Sequence, residues 1–159
     1  MSQDQWHCVG YGIETSPAEI SPERMLAFFD NHYAAYRRKN PASQARYGYD
    51  VVDVFEEYKE KKEIDDDFAN NVRECTCNYS YGEIIANIME EETGVRFIST
   101  GTAYDEREAV VFAPDYVWAY SEKEKSLTKD DIETIFETYG MELYGRLPDV
   151  DYIDLTFRG

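Results

Sequence analysis

Acid crowds this chain after residue 50, and it crowds segments whose apolar residues recur at helical spacing. The formal net charge is −17 over 159 residues; the first 50 residues contribute −1 and the remaining 109 contribute −16. A carboxylate taken out of water must be paired or neutralised. Such segments can therefore fold only as elements with one apolar stripe and one acidic outer face. Aromatic residues make up 15% of the chain, with 14 Tyr and 8 Phe. Disordered acidic tails are poor in aromatics, so this composition describes a folded acidic protein. Self-repulsion destabilises the compact state, and the aromatic core must offset it. The length fits a single acidic domain over residues 1–159 with a real core.

The pattern predicts a first strand over Gln5 to Ile13, with His7, Val9, Tyr11 and Ile13 on the core side. Gly10 and Gly12 in that strand mark a bulge or a close backbone approach. Ser21 caps a helix from Pro22 to about Arg38, with Met25, Phe28, Phe29, His32, Tyr33 and Tyr36 as its stripe. A second helix spans Val51 to about Glu63, and a short one follows from Asp65 through Arg73. Tyr81 to Thr93 is helical with Ile84, Ile85, Ile88 and Met89 inward. Val95 to Thr100 and Ala109 to Ala113 form a hairpin, and Tyr116, Trp118 and Tyr120 suit a further strand or arm. Thr128 caps a helix from Lys129 to Tyr139 that Gly140 stops. Met141 to Gly145 and Tyr152 to Phe157 read as the last strands, with Ile153, Leu155 and Phe157 inward. Strict βαβ alternation is absent. The expected fold is α+β, a mostly antiparallel sheet with helices packed on one side.

Several function classes lose support. No apolar run is long enough to cross a bilayer, and the N-terminus lacks a basic segment followed by an apolar one. Cys8, Cys75 and Cys77 are an odd number and read as reduced thiols. Cys75-x-Cys77 is too tight for a zinc pair and has no second pair to match it. Asp65-Asp66-Asp67 lacks the alternation of a calcium loop. No nucleophile elbow, P-loop or His-Glu-x-x-His pattern occurs. Cys8 with His7 or His32 offers a thiol–imidazole pair only as any chain with three cysteines and two histidines does. A pocket holding one of them beside a carboxylate would favour catalysis. The expectation is a non-enzymatic protein without metal or cofactor.

Charge remains as the guide to partners. Its densest pieces are Glu56, Glu57, Glu60 and Glu63 with Asp65, Asp66 and Asp67; Glu90, Glu91 and Glu92; and Asp130, Asp131 and Glu133, with Glu137 beyond. Carboxylates at i and i+4 of a helix lie about 6 Å apart. Phosphates along one strand are spaced by about 7 Å. A folded acidic surface can thus stand where a basic groove takes phosphates, and it repels nucleic acid itself. Tyr47, Tyr49, Tyr79, Tyr81, Tyr104, Tyr116 and Trp118 fall in or near expected loops. Tyrosine beside acid suits arginine, which pairs with carboxylates and stacks on rings.

Segments such as Trp6-His7-Cys8-Val9-Gly10-Tyr11-Gly12 and Leu127-Thr128-Lys129-Asp130-Asp131-Ile132, with the size, acidity and tyrosine content, resemble small acidic proteins of phages and mobile elements. That group includes anti-CRISPR and antirestriction inhibitors. The resemblance implies a stoichiometric inhibitor of a nucleic-acid-binding effector, acting in the bacterial cytoplasm, and it transfers no residue roles. The expected partner is a basic nucleic-acid-binding protein such as a CRISPR effector or restriction nuclease. The other reading is an acidic interaction or accessory module with a different basic partner. On the first reading, charge reversal at Glu56, Glu57 and Glu60 should weaken binding more than lysine at Asp4 and Glu14.

Overall fold

The computed structural model describes residues 5–16, 19–41, 51–61, 67–75, 80–102, 107–112 and 121–158. Its elements run β1 (Gln5–Glu14), α1 (Pro22–Asn31), α2 (Tyr33–Lys39), α3 (Val51–Glu60), α4 (Asp67–Cys75), α5 (Ser80–Thr93), β2 (Ile98–Thr102), β3 (Arg107–Phe112), α6 (Glu122–Ser126), α7 (Lys129–Tyr144) and β4 (Asp151–Arg158). The four strands form one antiparallel sheet in the order β2-β3-β1-β4. The fold is α+β. The arm expected around Tyr116, Trp118 and Tyr120 lies outside the described residues.

One sheet face carries the helices. Ile13 and Val110 share a core cluster with residues of α1, α2, α3, α4, α5 and α7. Aromatic rings tie that cluster together across elements. Phe29 of α1 stacks on Phe55 of α3 with centroids 4.0 Å apart; Phe55 meets Phe68 of α4 edge-on, and Phe68 meets Tyr81 of α5. Phe97, just before β2, packs edge-on against Phe136 of α7. Offset and edge-to-face contacts add attraction beyond the area they bury.

The opposite face holds a smaller apolar cluster of Ala109, Val111 and Ile153, with Ile98 against it. This corrects the expected direction of the last strand. Ile153 is buried, but the register pairs it with Gly10 and pairs Tyr152 with Tyr11. Ile153 therefore lies on the face away from Ile13. Strand parity tells which residues share a face, and not which face meets the helices.

Other elements differ from expectation, and β2 starts at Ile98 rather than Val95 while α3 ends at Glu60 rather than Glu63. The helix expected from Pro22 to Arg38 breaks at His32, whose φ of −114° and ψ of 19° leave the helical region. Helical hydrogen bonds still flank the break, from His32 N to Phe28 O and from Tyr36 N to His32 O, both 3.1 Å. The bend lets α1 pack on α7 and α2 pack on α5. At the other end, α7 passes through Gly140 and stops at Gly145, which takes a left-handed φ of 75° as the C-cap. Met141 to Tyr144 are thus helical, not a strand. Gly140 serves packing rather than termination, because a Cβ there would meet the Pro148 ring 2.8 Å from its Cβ. Lastly, α6 was not expected, although Ser121-x-x-Glu124 is a capping box that the sequence displays.

Gly12 meets the expected close approach. A Cβ there would overlap the Val110 carbonyl oxygen and lie 2.8 Å from the Val111 Cα. Gly12→Ala and Gly140→Ala should each destabilise by about 1–3 kcal/mol through overpacking. For Gly140 this reverses the usual gain from replacing glycine with alanine inside a helix. Urea unfolding followed by circular dichroism measures both.

Candidate functional site

Sorting the carboxylates by what they touch separates those used inside the fold from those facing out. Glu124 is used inside. It is 3% exposed and accepts from Arg96 Nη2 at 2.7 Å, Arg96 N at 2.9 Å and Ser121 N at 2.8 Å. These donors fasten α6 to the approach of β2. Asp131 accepts from Thr128 N at 2.9 Å and completes the capping box of α7. That backbone bond holds its pKa below the ordinary 3.8.

The triplet Glu90, Glu91 and Glu92 is also engaged within the fold, although each side chain stays about a third exposed. At the end of α5 it faces the cations that close α2. Lys39 Nζ lies 3.2 Å from Glu90 Oε2, and Arg38 Nε donates to Glu91 Oε1 at 2.9 Å. His32 Nδ1 lies 2.9 Å from Glu92 Oε2, while its Nε2 lies 2.7 Å from Glu142 Oε2. Tyr139 donates to Glu92 Oε1 at 2.7 Å. Glu90 and Glu91 are therefore matched by local cations, and Glu92 is engaged by His32 and Tyr139. His32 does sit beside carboxylates, but carboxylate oxygens occupy both ring nitrogens.

Glu56, Glu57 and Glu60 are exposed on the outer face of α3, as the stripe Val51, Val54, Phe55 and Tyr58 requires. Asp67 is exposed in the first turn of α4, and Asp130 in that of α7, with Glu133 half-buried beside it. Glu63, Asp65 and Asp66 lie outside the described residues, as do Tyr47, Tyr49, Tyr79, Tyr104, Tyr116 and Trp118. Tyr81 is not a surface ring, being fully buried in α5.

Carboxylates from distant parts of the chain converge elsewhere. A cavity of about 300 Å³ is lined by Glu14, Glu19, Tyr144, Arg146, Asp149, Asp151, Tyr152 and Ile153. Glu14 ends β1, Asp151 begins β4, and the antiparallel pairing of Gly12 with Asp151 sets those ends side by side. The C-terminus of α7 arrives at the same place, and its dipole adds negative potential. Arg146 is the cation of the lining, 4.0 Å from Glu19 Oε2 and 5.5 Å from the Tyr144 ring centroid. Burial and the charges of Glu19 and Glu14 raise the Tyr144 pKa, so its hydroxyl stays protonated among carboxylates. Tyr152 is 66% exposed and meets Tyr11 edge-on at 5.0 Å. The lining carries four carboxylates and two tyrosines, with Glu19 beside Arg146 and Asp151 Oδ1 accepting from Tyr152 N at 2.7 Å.

A scan for local acid density misses this cleft, because Glu14, Glu19, Asp149 and Asp151 stand singly or in a loose pair in the sequence. The only local hint is that Glu14 and Asp151 border two expected strands. Glu14, expected to be a neutral comparison for charge reversal, lines the cleft instead. No family model matches the chain, and searches of curated proteins and of solved structures find no match. Among the described residues, no helix is long and apolar enough to cross a membrane.

The internal acid gives a direct test. Arg96 and the backbone donors hold Glu124 down to about 2 from an ordinary 4.5. Its ionised form therefore contributes stability that is complete above pH 4.5 and is lost as pH falls through about 2. Glu124→Gln should cost about 2 kcal/mol at neutral pH. Urea titrations at descending pH should show the gap to the wild type closing below pH 4.5.

Proposed function

We propose that this chain is a non-enzymatic inhibitor that occupies the basic nucleic-acid-binding surface of a bacterial defence nuclease. It would act as anti-CRISPR and antirestriction proteins do, presenting carboxylates where that surface takes phosphates. The observation that carries the reading is the convergence of Glu14, Glu19, Asp149 and Asp151 around one cavity beside Tyr144 and Tyr152. A nucleic-acid groove is built of lysine and arginine. Arginine pairs bidentately with carboxylates and stacks on tyrosine, so one groove side chain fits this cleft with both contacts. The exposed acids Glu56, Glu57, Glu60, Asp67 and Asp130 extend the negative field. A field of that sign steers a basic partner toward the protein from a distance.

The experiment is competition. Purified CRISPR effectors and restriction nucleases are incubated with labelled nucleic acid and increasing amounts of the chain. Stoichiometric displacement is expected, and affinity should fall roughly tenfold or more from low to high salt as screening grows. Lysine at Glu14, Asp149 and Asp151 together should weaken binding by roughly tenfold or more. Glu91→Gln, at a carboxylate already engaged by Arg38, should change it far less. Binding that ignores salt, or cleft variants that bind as the wild type does, would defeat the reading. Capture of a basic partner that binds no nucleic acid would favour the accessory-module reading.

A further inference from the structure

The break between α1 and α2 places one imidazole between two carboxylates from two other helices. His32 Nδ1 is 2.9 Å from Glu92 Oε2 of α5, and Nε2 is 2.7 Å from Glu142 Oε2 of α7. A neutral imidazole carries one N–H and one bare nitrogen, and can donate to only one of them. Both carboxylates act as acceptors at their other oxygens too. Tyr139 donates to Glu92 Oε1 at 2.7 Å, and Asn31 Nδ2 donates to Glu142 Oε1 at 3.0 Å. With both carboxylates ionised, the arrangement closes only when both ring nitrogens carry hydrogen. We propose that His32 is a proton-dependent latch, which as an imidazolium ties the α1–α2 joint to α5 and α7 and releases that joint when its proton leaves.

The titratable and charged groups facing His32 are Glu92 from α5 and Glu142 and Tyr139 from α7. From α1, Arg24 reaches the Glu142 carbonyl oxygen, and the Phe28 ring lies 4.5 Å from the imidazole centroid. An aromatic face against a cation adds attraction. The His32 side chain is 18% exposed and each carboxylate 30%, so water screens the cluster only in part. Burial opposes the charge on His32, but the hydrogen bonds and charges of Glu142 and Glu92 outweigh it and raise its pKa above 6.5. The stability the latch supplies is therefore complete below pH 6.5 and is lost as pH climbs through the raised folded value. Deprotonation takes the imidazole donor from one of the two carboxylates and leaves two like charges facing across a neutral ring.

An NMR titration of the full chain tests it, with the two imidazoles assigned by His7→Gln and His32→Gln variants. His32 is expected to titrate above 6.5, and Glu92→Gln and Glu142→Gln are each expected to lower its value. Thermal unfolding from about pH 6 to about pH 9 should show the wild-type Tm falling as His32 titrates, and a flatter profile in His32→Gln. A His32 that titrates at or below 6.5 overturns the proposal, as do parallel wild-type and variant profiles. Should His32→Gln not fold, hydrogen exchange of the wild type decides. The His32 and Tyr36 amides, both hydrogen-bonded across the joint, are then followed through the titration. Protection lost as His32 deprotonates supports the latch, after correction for intrinsic exchange. Protection that its titration leaves unchanged overturns it.

Discussion

Strand β1 is hydrogen-bonded on both edges, to β3 on one side and to β4 on the other. Among the described residues, the hairpin and the C-terminal strand are joined in one hydrogen-bonded sheet through it, and they also touch through the apolar cluster of Ala109, Val111, Ile153 and Ile98. Its backbone must pass close to β3 at Gly12, where any side chain would strike Val110. The same pairing brings the start of β4 to the end of β1, and so builds the acidic cleft. A contact between the ends of the chain requires closing a very long loop, and the hydrogen bonds of two strand edges offset that entropy.

On the covered face of the sheet the helices are held by rings and by charge. Stacked and edge-on aromatics bind α1, α3, α4 and α5 in sequence. Between α2 and α5 two ion pairs run alongside, Lys39–Glu90 and Arg38–Glu91, and the His32–Glu92 hydrogen bond continues the row. Exposed pairs in such a row contribute little each, about 0–1 kcal/mol. The half-buried His32 cluster is different, because it joins three helices through one ring. Acid in this protein therefore does two jobs. Some of it stitches helices together, and the rest gives the outside its sign.

Periodicity placed most elements from local residues alone. The stripes of α1, α3, α5 and α7 were legible because a single apolar face repeats every three or four positions. Gly140 is ambiguous in the sequence because glycine ends helices and also permits close packing; only Pro148 above it tells which. The break at His32 is not legible in the local pattern, and the groups that its ring meets there, Glu92 and Glu142, lie far along the chain. For the candidate site the outer acids of α3 were legible, since the opposite face of that helix is apolar. The cleft was not, since each of its carboxylates is unremarkable in its own neighbourhood.

By itself the sequence determined that this chain folds, that it is α+β, and that its surface is strongly negative. Those properties follow from composition and short-range pattern, which the backbone reads without knowing its distant neighbours. Only the tertiary structure decided which carboxylates are spent on Arg38, Lys39, Arg96 and His32, and which converge around a cavity. The effect of a carboxylate depends on the charge that folding brings within a few ångströms of it. Coulomb attraction at that range depends on distance in space, and distance along the chain does not supply it.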